Sequence, residues 1–207
     1  MKEIQIKFLT QIVKPWEHLN KILSAPLSLD LAINDFVTNA NALAVTIKHL
    51  PESISNISPN VLSKESKSYE IISDLADSFK HGKLYKHSRE CKLTVSSMFE
   101  RNTEAKLRFL RNKISISHNK YGKIDFMSCT KESSLFILEK LDLHLKWNPN
   151  IINNTGEFSS KIKLHMSNKH QIQISNIQIE IVQLNEFGKF ENVDLNGQVE
   201  FTLTTNF

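Results

Sequence analysis

The hydrophobic period of this chain changes partway along its length, and that change limits the folds open to it. As far as His81, apolar residues recur every three or four positions; from Lys92 they recur at every second position. A spacing near 3.6 puts residues on one face of a helix, and a spacing of two puts them on one face of a strand. Residues 1–24 show the first pattern through Ile4, Phe8, Ile12, Trp16, Leu19 and Leu23, with Pro15 predicting a kink or a restart. Ala25-Pro26-Leu27-Ser28 interrupts it. Ser28 is placed as the N-cap of a second helix, from about Leu29 to His49, ending before Pro51. Residues 51–66, with Pro51, Pro59 and several Ser and Asn, read as a loop. A third helix follows over Tyr69–His81, with the stripe Ile71, Ile72, Leu75, Ala76 and Phe79 and a stop at Gly82. Three amphipathic helices in sequence bury their stripes against one another, which predicts a small bundle.

The strand pattern begins with Lys92-Leu-Thr-Val-Ser-Ser-Met98, then Lys106–Leu110 and Lys113–His118. Asn119-Lys-Tyr-Gly122 has turn chemistry and Lys123–Met127 reads as a further strand. Residues 132–147 return to helical spacing, and the polar stretch from Asn148 to Gly156 is a candidate boundary. Beyond it Lys161–Met166, Gln171–Ile174, Ile177–Ile181 and Val199–Leu203 alternate. The apolar parity shifts at Ser175-Asn176, and turn residues stand at Gly188 and Asn196-Gly197. The order is that of an α+β protein: a helical bundle over residues 1–90, then antiparallel β structure over 91–207 with one intervening helix at 132–147. The two regions are either separate domains or one integrated domain.

Charge narrows the functional classes. From Lys80 to Lys123 twelve Lys and Arg face three Glu, a local +9 in a chain of net +4, so the remainder carries −5. A concentrated basic field suits phosphate-bearing partners such as RNA or DNA, and equally describes a solvated lysine-rich face. Cys91 and Cys129 are far apart and form no C-x-x-C pair, which argues against a disulfide framework or zinc ribbon and favours a reducing cytoplasmic compartment. The first residues lack the apolar core of a secretory signal, and no apolar run is long enough to predict a membrane span. The five glycines form neither a dinucleotide nor a P-loop fingerprint, no G-x-S-x-G elbow is present, and no cofactor is expected.

One face of the third helix carries candidate chemistry. Asp74, Asp77 and His81 stand at i, i+3 and i+7 and share that face with Ser78. A histidine beside a carboxylate can serve as a general base near neutral pH, or the three can ligate a metal. The alternative is a helix-end arrangement, with Asp77 and His81 an i,i+4 pair, and Lys80 and His81 at the negative end of the helix dipole. His81, His87 and Cys91 match no common zinc spacing, so no metal is expected there. Lys80, Lys83, Lys86, Arg89 and Lys92 recur every three residues; with Arg108 and Arg111 they are the candidate phosphate-binding cations. On the second helix Asp30, Asn34, Asn39 and Asn41 are candidates to line a ligand groove, although Asn39 and Asn41 lie on different faces.

Two of these stretches carry a resemblance. Ala32-Ile-Asn-Asp-Phe-Val-Thr-Asn-Ala40, followed by Asp74-Leu-Ala-Asp-Ser-Phe-Lys-His81, resembles a group of uncharacterised bacterial proteins. Those pair a D-F-x-x-N-A-like helix with a D-x-A-N-x-x-K-H-like helix and continue into strands. Their helical part is similar to HEPN domains, a small four-helix family that includes many ribonucleases and nucleic-acid-associated proteins. The likeness covers about residues 20–145, and this chain has Asp77 where the group favours Asn. HEPN ribonucleases carry an Arg, usually followed by Asn, with four to six residues between it and a His on the same helix. The match here, Arg111-Asn112 to His118, lies in a strand pattern, where residues seven apart point to opposite faces and stand ~23 Å apart. No Arg stands at that spacing before His81.

These readings lead to a non-enzymatic binding or assembly subunit that engages nucleic acid or another acidic partner through its basic middle segment. Two alternatives stay open. One is a HEPN-like, RNA-directed enzyme or toxin/antiphage-defence component using His81 and Asp77. The other is a protein-interaction module that recruits a partner along a β edge.

Overall fold

A computed structural model describes residues 3–26, 32–160, 162–167, 178–193 and 201–206; over 32–34, 162–167 and 201–206 this covers the backbone. The Ser28 cap, the strand and parity shift over 171–176, and the Asn196-Gly197 turn lie outside the described residues. The fold is mixed α+β, and no helix among the described residues is long and apolar enough to cross a membrane. The chain divides into two compact units. The first comprises residues 1–20, 37–94 and 114–151, the second residues 21–36, 95–113 and 152–207.

The N-terminal helix is interrupted ahead of its proline, as expected. Helix α1 (Glu3–Phe8) runs into a π-turn over Leu9–Val13, and α2 (Lys14–Leu23) continues from it. The backbone N–H of Lys14 reaches back to the Leu9 carbonyl, a widened turn placed just before Pro15, which has no N–H to offer. Helix α3 (Ala32–Ser55) continues beyond the expected end at His49 and takes Pro51 into its last turns. The proline cannot donate to the Ile47 carbonyl one turn back, and the neighbouring Lys48 carbonyl takes a hydrogen bond from the buried Tyr69 hydroxyl at 2.7 Å. The helix ends at Asn56, whose φ of 54° is one that Asn tolerates better than most residues.

The expected loop over 51–66 therefore contains the end of α3 and a further helix, α4 (Pro59–Glu65). Ser58 caps α4 by accepting from the Asn60 N–H, and Pro59 sits in its first turn, where a missing N–H costs nothing. Helix α5 (Lys67–His81) starts at the Ser66 cap and stops at Gly82, whose φ is +72°. Helix α6 (Phe126–Lys140) begins and ends earlier than the 132–147 expected. Asp125 is its N-cap, accepting from the Ser128 N–H at 2.7 Å, so the expected strand through Met127 ends at the cap and Phe126 opens a helix.

In the first unit Trp16 anchors the core. Its ring meets Trp147 edge-on at 5.5 Å, and its indole N–H donates to the Thr130 hydroxyl at 3.1 Å. Phe8, Ile12, Ile47, Leu62, Ile72, Ile114 and Phe126 are fully enclosed. The strands are β1 (Cys91–Arg101), β2 (Leu107–His118), β3 (Gly122–Asp125), β4 (Ile162–Ser167), β5 (Gln178–Leu184), β6 (Phe190–Asn192) and β7 (Phe201–Asn206). The two alternating stretches at 106–110 and 113–118 belong to the single strand β2. In the first unit β2 pairs antiparallel with β3, in the register Ser115–Asp125 to His118–Gly122.

In the second unit β1 pairs with β5, from Ser96–Gln178 to Glu100–Val182, and β5 forms a hairpin with β6 through a turn at Gly188. Phe99, Leu107 and Ile181 form its small core. The β1–β5 pairing is parallel, and so is β4–β7. This corrects the expectation of purely antiparallel strands. Parallel partners need a long crossover, and the chain supplies one by inserting β2, β3 and α6 between β1 and β5.

Candidate functional site

Asp74, Asp77 and Ser78 come from the second half of α5, and their helical spacing aims all three the same way. That direction is inward. Asp74 is 2% exposed and Ser78 is buried, whereas Phe79, expected in the apolar stripe, is 58% exposed. The helix thus buries part of its polar face and presents one of its aromatics to solvent.

What makes this tolerable is a set of cations brought to the two carboxylates. After Gly82 the chain makes a short connector with a 3₁₀ turn over His87–Arg89, then enters β1. Arg89 reaches back to α5: its Nε donates to Asp74 Oδ1 at 2.7 Å and its terminal nitrogen to Asp77 Oδ2 at 2.9 Å. Lys48, largely buried on α3, forms an ion pair with the other oxygen of Asp77. Burial pushes the Asp77 carboxyl up, but the hydrogen bonds and charges of Lys48 and Arg89 outweigh it and leave the group below its ordinary range. Arg89 is held more firmly protonated by its bond to Asp74.

On the second Asp74 oxygen stands His118, at the end of β2, with its Nε2 at 3.4 Å. The backbone N–H of Lys120 donates to His118 Nδ1 at 3.0 Å, so that nitrogen is the acceptor and the proton sits on Nε2, facing Asp74. Burial pulls the His118 pKa down, more than Asp74 raises it, and the ring is neutral near pH 7. Tyr121 packs against the His118 ring at 4.9 Å and donates its hydroxyl to Glu70 at 2.6 Å. Burial raises the Glu70 carboxyl, and hydrogen bonds from Tyr121 and Lys120 more than reverse that.

Cys91 closes the group. Its N–H donates to the Ser78 hydroxyl at 3.0 Å, and its thiol is pushed up to about 12 by burial and by the Asp74 charge. The Cys129 thiol is likewise pushed up to about 12 by burial. Neither is poised as a nucleophile, since that needs a thiolate.

The predicted residues therefore divide. Asp74, Asp77 and Arg89 are brought together. His81 is exposed at the end of α5 and, among the described residues, makes no hydrogen bond or ion pair with Asp77. Lys80, Lys83 and Lys86 are exposed as well. Arg108 is paired with the buried Glu100 at 2.6 Å, within the second unit. Arg111, also in the second unit, is buried and donates to the carbonyls of Asn112 and Ile152. Arg111 and His118 both lie on β2 and do not share a site. Asn41 is buried and Asn39 exposed, while the side chains of Asp30 and Asn34 lie outside the described residues. Among the described residues no group of three or more His, Cys, Asp or Glu could hold a metal ion.

Lys48 joins the site unforeseen and His118 joins it in a setting other than its Arg111 match, although each carried a signal in the sequence. His118 follows Ile114 and Ile116 in the same strand parity, and Lys48 follows Asn41 and Ala44 at helical spacing on a buried stripe. Chemically, the enclosed part of the cluster is a clamp. Asp74 and His118 are shut off from solvent, and Asp74 through Arg89 fixes the connector that carries the exposed Lys83 and Lys86. No family model, curated protein or solved structure matches this chain.

Proposed function

We propose that this chain is a non-enzymatic binding subunit that takes single-stranded nucleic acid along the basic segment from Lys80 to Lys92. The observation that carries this reading is Tyr85, fully exposed between Lys83 and Lys86 on the connector that Arg89 clamps. An aromatic ring standing in solvent among lysines gives a base a face to stack on and its phosphates cations to follow. Lys80, Lys83, Lys86 and Lys92 are all exposed, and among the described residues none of them forms an ion pair. The positive field is thus available rather than neutralised within the unit. Asp77 is already held between two cations and His118 is shut off from solvent, which supports binding over proton transfer as the work of this face.

The test is fluorescence anisotropy with a labelled single-stranded oligonucleotide at ~50 mM salt, where phosphate contacts are strongest. Saturable binding that weakens steeply toward ~200 mM salt is expected. Tyr85→Ala should weaken it by about 1–3 kcal/mol, the worth of one stacked base. No binding at the lower salt would overturn the reading.

A further inference from the structure

A cavity of about 330 Å³ opens beside the clamp, within the first unit. Its walls are Val37 and Asn41 of α3, Leu75, Ser78 and Phe79 of α5, and the first residues of β1, Cys91 to Leu93. The lining is mostly apolar with a few polar groups, at the small end of the range for ligand pockets. Asn41 is 6% exposed and contributes to the cavity wall. A side-chain amide at a cavity wall can meet a ligand that offers it a donor and an acceptor side by side.

We infer that this cavity receives one unstacked nucleobase of the bound strand, an inference that rests on the nucleic-acid reading and adds a base-recognition site to it. An amide pairs bidentately with a base edge, since each base places a donor beside an acceptor there. Val37, Leu75 and Leu93 give the flat faces of the base apolar contact. The half-exposed ring of Phe79 stands at the rim, where an entering base would stack. Lys92 is exposed at the same cavity and Lys80 follows Phe79 directly in α5, so the sugar-phosphate outside the pocket would meet cations. This gives a role to the Phe79 ring that α5 turns outward and to the polar residue that α3 turns inward.

The experiment compares two labelled six-unit strands of equal charge at ~50 mM salt, dA6 and its fully abasic counterpart. Asn41→Leu keeps the size of the side chain and removes its hydrogen bonds; Val37→Phe fills the cavity and keeps the amide. Each should weaken dA6 about tenfold and leave the abasic strand unchanged, because only the former has a base to insert. A thermal melt verifies that both variants are folded, and an unfolded Asn41→Leu would leave Val37→Phe to decide. If dA6 binds the folded variants as well as the native chain, or both strands weaken equally, the pocket inference fails while the basic-segment reading stands. If neither strand binds the native chain, both fail together.

Discussion

Arg89 donates its Nε to Asp74 Oδ1 at 2.7 Å, so one cation of the basic stripe neutralises the most deeply placed acid of the preceding helix. This single relationship separates the stripe into two working parts. Arg89 faces inward and holds the connector to α5; Lys80, Lys83 and Lys86 face outward and stay available.

The clamp should contribute measurably to stability. Arg89→Met leaves the buried Asp74 without its arginine partner. Losing one member of a buried pair costs roughly 3–5 kcal/mol, and because the Arg89 side chain is 39% exposed the expected loss is nearer about 2–3 kcal/mol. Arg89→Lys should rescue little of it, since one ammonium cannot reproduce the forked contact to two carboxylates. Urea denaturation measures both, and a change within about 0.5 kcal/mol for Arg89→Met would contradict the clamp.

Acid should loosen the first unit in two steps. His118 binds its proton more weakly in the folded state than in the unfolded chain, so the unfolded state takes up more protons as pH falls below about 6.5, and stability drops there. His118→Gln should flatten the curve between pH ~7 and ~5. A second loss follows below about pH 4, where Asp77 and Glu70, both depressed in the folded state, are protonated in the unfolded one. Chemical denaturation at a series of pH values reads each step.

Tyr69→Phe removes the buried hydroxyl that answers the Lys48 carbonyl beside Pro51. A loss of about 0.5–1.5 kcal/mol is expected, the net worth of one hydrogen bond. An unchanged urea midpoint would show that this bond adds nothing to stability.

Both thiols should resist alkylation in the native state. Cys91 and Cys129 are buried with pKa values pushed up to about 12, so iodoacetamide at pH ~8 should label neither until denaturant is added. Rapid labelling of folded protein, located by peptide mass spectrometry, would contradict their placement.

Much of this architecture was legible in the residues themselves. The change of period marks where helices give way to β1, and Gly82 ends α5 where its freedom of φ is used. The Ser58-Pro59 pair and Asp125 were equally plain start signals for helices, yet Ser and Asn content around the first and alternation around the second argued for loop and strand. The parallel pairings were not legible, because period two reports a strand and says nothing of its partner's direction. Within the candidate site, helical spacing put Asp74 and Asp77 together, but not which way they point. Asp74 lies inside only because Arg89 and His118, distant in sequence, neutralise and bond it, and Phe79 is turned out by the same rotation.

On the proposed reading, the outward lysines, not the inward arginine, make the binding surface. This is tested most directly by the salt dependence of single-strand binding for the triple variant Lys80→Gln, Lys83→Gln, Lys86→Gln. The slope of log affinity against log salt should shrink by about 2, close to 0.7 per lost contact, with the melting temperature unchanged. A slope equal to that of the native chain would contradict it.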